Sequence, residues 1–224
     1  MPTRVVVYAE GARELFGEFV LEKAPGSPLS ESDFGAAHFL VRRTIDHLVP
    51  QPLTLQFEAP LNLTTTRPPR GSDLLDRKSL RRLLAWVPHR RPDLAVVLVD
   101  EDGVDSRLST LRSYLEADWS PPVAIGVAVR EFESWLIGDM QAVREVLEIK
   151  IDEPREPEQM KPGEAKALLD GWLEERNRSK DGRGVRARIA ARLRLDALVR
   201  TSRSFRRFHE ELGASLALVP PSRG

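Results

Sequence analysis

Acidic side chains stand at or just beyond the ends of three apolar runs that are typical of β-strands. In chain order the three acidic pairs are Glu10 with Glu14, Asp100 with Asp102, and Glu131 with Glu133. In an open parallel sheet the carboxyl ends of neighbouring strands border one crevice, so we expect these carboxylates to converge there. Negative charges that share a crevice repel one another unless a divalent cation joins them. The pattern therefore predicts a Mg²⁺ or Mn²⁺ site that acts on a phosphate.

Each acidic pair also has a structural interpretation. Acids are favoured at helix N-termini because they interact well with the helix dipole, which would account for the first and third pairs. Asp100 and Asp102, two residues apart at an extended strand end, are expected to point the same way and could hold one ion. Their alternative is a turn, since aspartate and glycine are common in turns and Gly103 directly follows the pair. Three acidic pairs at equivalent strand ends are harder to explain as three separate coincidences, and for that reason we favour the metal site.

The elements that must position these side chains alternate along the sequence. Apolar and β-branched runs predict strands over residues 4–9, 53–57, 94–99 and 123–129. Helical spacing predicts a helix after Gly11 and further helices over residues 32–48, 74–86, 106–117 and 132–147, with Asp33 and Asp139 as caps. Such alternation is typical of an α/β fold in which helices flank a parallel sheet.

The sequence changes character near Asp152. Residues 151–162 are rich in proline and glutamate, and the chain beyond them shows helical spacing without another convincing strand. We therefore expect an α/β metal-binding core over residues 1–151. An arginine-rich helical extension is expected over residues 152–224, packed on or beside that core.

Charge is distributed unevenly along the chain. The formal net charge of the 224 residues is zero, yet residues 176–207 contain twelve Lys or Arg and only two acids. A local basic stripe can bind a phosphate backbone even on a neutral protein, because the field acts over about one Debye length. A solvated arginine-rich helix face would give the same pattern.

Composition excludes several other classes of site. The chain has no cysteine, so disulfides and thiolate metal sites are excluded. The four histidines show no ligand spacing, and no phosphate-binding Gly-x-x-x-x-Gly-Lys loop is present. No apolar stretch is long enough to cross a bilayer, and charged residues interrupt the first apolar run. We therefore expect a cytoplasmic prokaryotic protein that does not bind ATP through such a loop.

Two of the acidic motifs resemble a known metal-binding pattern. Glu10-Gly11-x-x-Glu14 after a first strand, with an Asp-x-Asp at residues 100–102 after a later one, is similar to the TOPRIM pattern. TOPRIM domains occur in topoisomerases, primases, the ribonuclease that matures 5S rRNA, and the overcoming-lysogenization-defect nucleases. The resemblance implies a TOPRIM-like Rossmannoid sheet flanked by helices.

A closer resemblance covers most of the chain. The segments at residues 97–103, 128–136, 188–190 and 204–208 are similar to the DUF4276 family. The most specific of them is Arg-Glu-Phe-Glu-Ser-Trp-Leu at residues 130–136. Members of that family, TOPRIM-like themselves, are often encoded beside an AAA or ABC-type ATPase, which implies such a partner here.

The resemblance implies roles for the acidic residues. By position, Glu10 would bind a metal or act as general base on water, and Asp100 with Asp102 would bind Mg²⁺. Glu131 and Glu133 would form a further acidic pair in the same crevice. Glu14 could be a further ligand or could face solvent.

Basic residues could contribute at the same place. Lys180, in a segment where related sequences tend to carry a lysine, could neutralise transition-state charge, or it could be an ordinary surface lysine. Arg130 could clamp a phosphate or pair with the acid that follows it. The remaining arginines that we expect to contact nucleic acid are Arg183, Arg186, Arg203, Arg206 and Arg207. Phe205 and Phe208 are expected to anchor the last helix in the core.

The sequence as a whole predicts a Mg²⁺- or Mn²⁺-dependent nuclease that cleaves DNA or RNA, and the resemblance implies a role in an anti-phage defence system with a partner ATPase. The chain could form a homo-oligomer, and no membrane partner is expected. The alternative from another class is a non-catalytic adaptor that keeps the fold and binds the ATPase through its arginine-rich segment. A primase-like phosphoryl transferase is weaker, because no nucleotide-binding motif accompanies the acidic clusters.

Overall fold

The structure is a computed structural model that describes residues 1–16, 23–63, 69, 71–115, 121–152, 156–176 and 182–220. Within this part of the chain, none of the helices is of a length and apolarity that would cross a membrane.

Four parallel strands form the sheet in the described residues, in the order β2-β1-β3-β4. Their bounds are β1 Thr3–Ala9, β2 Leu55–Glu58, β3 Leu94–Asp100 and β4 Val123–Ala128. The two central strands β1 and β3 are almost wholly buried, which explains why they are continuous apolar runs rather than alternating ones. All four strands lie within two residues of their predicted positions, and the α/β prediction with a helix-flanked parallel sheet is confirmed.

Helices cover both faces of this sheet. The helices of the described residues are α1 Ala12–Leu15, α2 Ala36–Leu48, α3 Gly71–Leu75, α4 Arg77–Leu84, α5 Arg107–Tyr114, α6 Glu133–Ile137, α7 Met140–Leu147, α8 Glu164–Glu175, α9 Arg183–Ala190, α10 Leu195–Thr201 and α11 Arg203–Leu216. Three short 3₁₀ turns accompany them at Glu31–Asp33, Pro88–Arg90 and Pro157–Gln159.

Aspartate caps explain two differences from the predicted helices. The helix expected over residues 74–86 is divided into α3 and α4, because Asp76 accepts a hydrogen bond from the backbone N of Ser79 and starts a new helix. The helix expected over residues 132–147 is likewise divided, because Asp139 accepts from the backbone N of Gln141 and caps α7. The cap predicted at Asp139 is confirmed.

The cap predicted at Asp33 is wrong. Asp33 ends a 3₁₀ turn, where it accepts hydrogen bonds from the backbone N and the hydroxyl of Ser30 and pairs with Lys23. Helix α2 begins three residues later, after Gly35.

One hydrophobic cluster joins the sheet to the C-terminal helices. It contains Val5 of β1, Trp135 of α6 and Leu169 of α8, together with Phe205 and Phe208 of α11. The rings of Trp135 and Phe208 stack with centroids 5.5 Å apart, so the core role predicted for both phenylalanines is confirmed. The helices beyond residue 152 therefore share the core of the sheet, and α11 packs directly on β4. A second cluster fills the opposite face under α4 and α5.

Candidate functional site

The carboxyl ends of β1, β3 and β4 lie side by side and bring four acids together. Asp100 is the last residue of β3 and is paired in register with the last residue of β4. Glu10 directly follows β1, and its Oε2 accepts a hydrogen bond of 2.8 Å from the backbone N of Asp100. Glu14 in α1 and Glu133 in α6 are close enough for their charges to act on Asp100. We call Glu10, Glu14, Asp100 and Glu133 the acidic cluster.

Asp100 lies at the centre of the acidic cluster. Its Oδ1 accepts a hydrogen bond of 2.7 Å from the backbone N of Phe132, which favours the charged form. Burial works against that form, and so do the negative charges of Glu10, Glu133 and Glu14. Together they raise the pKa of Asp100 to about 9. In the absence of a cation this carboxyl group therefore holds a proton at neutral pH.

Glu14 is buried rather than exposed to solvent. Its side chain folds back over Gly11, where a Cβ atom would collide with the carboxylate. None of the described residues donates a hydrogen bond to its Oε2, although that atom is inaccessible to water. Burial, followed by the charge of Glu133, raises the pKa of Glu14 to about 7. The alternative that Glu14 faces solvent is therefore wrong.

Glu133 is paired with an internal arginine. Nε of Arg186 lies 3.4 Å from Oε1 of Glu133, and Nη2 of Arg186 donates a hydrogen bond of 2.6 Å to Oδ1 of Asp170. The Arg186 side chain is fully buried. The prediction that Arg186 contacts nucleic acid is corrected accordingly, because α9 packs against α2 and α7 and turns this position inward.

Glu131, in the loop between β4 and α6, caps α8. Its Oε1 accepts a hydrogen bond of 2.7 Å from the backbone N of Lys166, in the first turn of α8. The N-cap residue of that helix is Gly163, which has no side chain to serve as a cap. Burial raises the pKa of Glu131 in spite of this hydrogen bond. Glu131 thus fixes α8 beside the acidic cluster.

Asp102 lies beyond the end of β3, in a turn. β3 ends at Asp100, and both Asp102 and Gly103 have positive φ values, of 48° and 75°. The Asp102 carboxylate is exposed and accepts a hydrogen bond of 2.9 Å from Nη1 of Arg107. The expectation that the two aspartates point the same way is therefore corrected, because the extended strand on which it depended stops between them. The charge of Asp102 still raises the pKa of Glu10, after burial as the main cause.

The basic residues occupy varied positions around this edge. Arg130 is half-buried, has a φ of 67°, and lies near the turn at Gly103. Arg183 is half-buried in α9. Lys180 lies outside the described residues.

Three arginines of α11 are exposed. They are Arg203, Arg206 and Arg207. Arg206 also donates hydrogen bonds to the carbonyl oxygens of Val199 and Arg200 at the end of α10.

Lys166 is a functional candidate that the sequence did not reveal. It is exposed in α8, and its positive charge lowers the pKa values of Glu10, Glu14 and Glu131 against the larger effect of burial. Thirty-five positions separate it from Glu131. No local motif marks it, because the contact depends on how α8 packs on α6.

The donor chemistry of the cluster fits a hard cation, but the present arrangement is not a finished binding site. Carboxylate oxygens are the ligands that Mg²⁺ and Mn²⁺ prefer, and Glu14 Oε2 is buried without a hydrogen bond. Across the described ranges, however, no group of three or more His, Asp or Glu side chains is placed so that it could hold a metal ion.

A comparison with protein families extends over most of the structure. The model of DUF4276, a domain of unknown function, matches residues 40–213, more than three quarters of the chain. The chain belongs to the DUF4276 family. The DUF4276 match includes Asp100, Glu131, Glu133 and Lys166, but it begins after Glu10 and Glu14. No curated protein and no solved structure gives a significant match.

Proposed function

We propose that this chain is a Mg²⁺- or Mn²⁺-dependent nuclease that cleaves phosphodiester bonds in DNA or RNA. The observation that carries the proposal is the position of half-buried Asp100 beside three other carboxylates at the carboxyl edge of the sheet. Such an arrangement is unfavourable for the protein alone, because like charges in a poorly solvated site repel one another. A divalent cation removes that repulsion, and an edge of this kind is where open α/β sheets bind ligands.

The residues that would hold the ion are Asp100 and Glu10, with Glu14 and Glu133 completing the oxygen ligands. Binding requires at least two of these side chains to turn toward a common point. When bound, the ion would neutralise charge on a phosphate and make a water molecule more acidic. The proposed likeness to TOPRIM domains is limited to an acidic sheet edge that binds such an ion.

The protein's own side chains would perform the remaining tasks. If the other three acids of the cluster hold the ion without it, Glu10 is suited to accept a proton from an attacking water, because its pKa is raised mainly through burial. The exposed ammonium group of Lys166, beside the same edge, would attract a phosphate oxygen. Arg203 and Arg207 on α11 would contribute attraction to a polyanionic backbone.

A non-catalytic adaptor is the second candidate function. It is favoured by the existing partners of the acids: Glu131 caps α8 and Glu133 pairs with Arg186. If these contacts are purely structural, the acidic edge would only stabilise the fold. The exposed arginine-bearing face of α11 would then bind a partner. In both versions we place the chain in the prokaryotic cytoplasm, acting in anti-phage defence with an AAA or ABC-type ATPase.

Cleavage assays with one pair of matched variants test the proposal. The purified chain is incubated with single-stranded DNA, double-stranded DNA and RNA in Mg²⁺, Mn²⁺ or EDTA. Asp100→Asn keeps the shape and the acceptor for the backbone N of Phe132 but removes the carboxylate. Asp105→Asn makes the same change at an exposed position of the neighbouring loop.

The nuclease proposal predicts metal-dependent cutting by the wild type and by Asp105→Asn, with at least a hundredfold loss in Asp100→Asn. Cutting that survives equally in both variants would contradict it. If no protein cuts alone, the assay is repeated with the AAA or ABC-type ATPase that we propose as its partner. Failure there as well would leave the adaptor.

A further inference from the structure

Two histidines far apart in the chain meet on the surface formed by α2, α10 and α11. His47 and His209 are 162 positions apart, yet Nδ1 of His47 lies 2.9 Å from Nε2 of His209. Nε2 of His47 lies 2.9 Å from Oδ1 of Asp196. The sequence predicted no imidazole metal site because its histidines lack ligand spacing, but the fold supplies the proximity that the sequence lacks.

The proton positions that this contact allows are limited. Oδ1 of Asp196 is an acceptor, so Nε2 of His47 donates to it, and the Nδ1 of a neutral His47 ring carries a lone pair. That lone pair faces Nε2 of His209. Two neutral rings can keep this separation either if His209 donates a proton from Nε2, or if both nitrogens coordinate one cation.

We propose that His47 Nδ1 and His209 Nε2 together bind one divalent transition-metal ion of the kind that prefers imidazole, with Zn²⁺ as the probe. Nitrogens bound to one ion at about 2.0–2.1 Å lie about 2.9 Å apart at a right angle and about 3.3 Å apart at a tetrahedral angle, so the 2.9 Å separation present here needs little adjustment. Asp196 is the hydrogen-bonded partner that fixes the orientation of the His47 ring and increases its basicity, as carboxylates commonly do beside metal-bound histidines.

The ligand set separates this site from the acidic cluster. Imidazole suits Zn²⁺, Ni²⁺ and Cu²⁺, whereas carboxylate oxygens suit Mg²⁺ and Mn²⁺. Two side chains supply the protein ligands, and water completes the coordination. The site is open to water, because the His47 and Asp196 side chains are 33% and 76% exposed.

Binding would link three helices. His47 lies in the last turn of α2, Asp196 in the first turn of α10, and His209 in the middle of α11. An ion that binds this folded arrangement and not the unfolded chain raises the melting temperature. The bound ion would therefore further stabilise the packing of the C-terminal helices on α2.

Calorimetric titration of the full chain with Zn²⁺ tests the proposal. We expect His47→Gln and His209→Gln each to weaken Zn²⁺ binding at least tenfold, and Asp196→Asn to weaken it about 10- to 100-fold. The matched control is His89→Gln, which removes an exposed histidine elsewhere, and Asp100→Asn controls for binding at the acidic cluster. Both controls should retain the wild-type affinity for this site.

Thermal unfolding with and without Zn²⁺ gives an independent readout. The melting temperature of the wild type and of both controls should rise with Zn²⁺, and the rise should disappear in His47→Gln and His209→Gln. The proposal is overturned if the wild type does not bind Zn²⁺, or if the two histidine variants bind it as tightly as the wild type. Circular dichroism confirms that each variant is folded.

Discussion

At the scale of single residues, the protonation of Asp100 is the most informative property of the acidic cluster. Its pKa in the folded chain is raised to about 9 from an ordinary value of 3.8. The folded protein therefore retains a proton that the unfolded chain has already lost at intermediate pH. By linkage, the contribution of Asp100 to stability is full below about pH 4 and decreases as the pH rises toward 9.

Asp100→Asn should remove this pH dependence in the metal-free protein. Because one proton is involved, the free energy of unfolding should differ between the wild type and Asp100→Asn with a slope of up to about 1.4 kcal/mol per pH unit. The variant should become the more stable of the two as the pH rises. Urea unfolding at intervals from pH 5 to pH 9 in EDTA measures the difference, and parallel curves for the two proteins would show that Asp100 is charged in both states.

Arg186 should be required for stability because it is the buried partner of two acids. Arg186→Leu leaves Glu133 and Asp170 without that cation, and loss of one member of a buried ion pair typically costs about 3–5 kcal/mol. Arg188→Leu, two positions along the same helix and exposed, should change the free energy of unfolding by about 0.5 kcal/mol or less. Urea unfolding measures the free energy of unfolding of both variants. Equal losses would mean that the ion pairs of Arg186 contribute no net stability.

At the scale of elements, α11 fits tightly against the outer strand of the sheet. Gly126 of β4 leaves space for Leu98 of β3 and Phe208 of α11. A Cβ atom at Gly126 would stand 2.6 Å from Cδ2 of Leu98 and 2.8 Å from Cδ2 of Phe208. Phe208 cannot move freely, because its ring is stacked on buried Trp135.

Gly126→Ala should therefore destabilise the fold by about 1–3 kcal/mol, the usual effect of overpacking a core. Gly171→Ala in the middle of α8 is the matched control, since a Cβ atom there meets nothing within 4 Å. That control should stabilise the protein by up to about 1 kcal/mol through helix propensity. Thermal unfolding of the two variants checks both signs, and a neutral Gly126→Ala would show that α11 can shift away from β4.

The elements were predictable from sequence where one local signal dominated. β1, β3 and β4 were visible because burial on both faces produces continuous apolar runs. The positions of Arg186 and Lys166 were not predictable, because each depends on which face of a C-terminal helix packs inward. The orientation of Asp102 was missed for a local reason: the backbone leaves the extended conformation directly after Asp100.

At the scale of the whole molecule, neutral net charge coexists with an exposed basic surface on α11. Arg203 and Arg207 are exposed there, on the face of the sheet opposite to α4. Attraction to nucleic acid through such residues depends on salt, since phosphate neutralisation releases counterions.

Reversal of these two charges should weaken binding to nucleic acid and its salt dependence together. For Arg203→Glu with Arg207→Glu, the slope of log K against log salt should become shallower by about 1 to 2 on double-stranded DNA. The matched control reverses exposed Arg77 and Arg82 on α4 and should retain the wild-type slope. Fluorescence anisotropy at several salt concentrations measures both, and an unchanged slope in the α11 variant would place the binding surface elsewhere.

The central claim is that the acidic cluster binds a divalent cation, and a titration with Mn²⁺ followed by electron paramagnetic resonance tests it most directly. The wild type and Asp105→Asn should bind Mn²⁺ with equal affinity, more tightly as the pH rises toward 9, because the ion displaces the proton held by Asp100. Asp100→Asn should bind at least tenfold more weakly. Absence of Mn²⁺ binding, or equal affinity in Asp100→Asn, would contradict the account and leave the cluster as a structural feature.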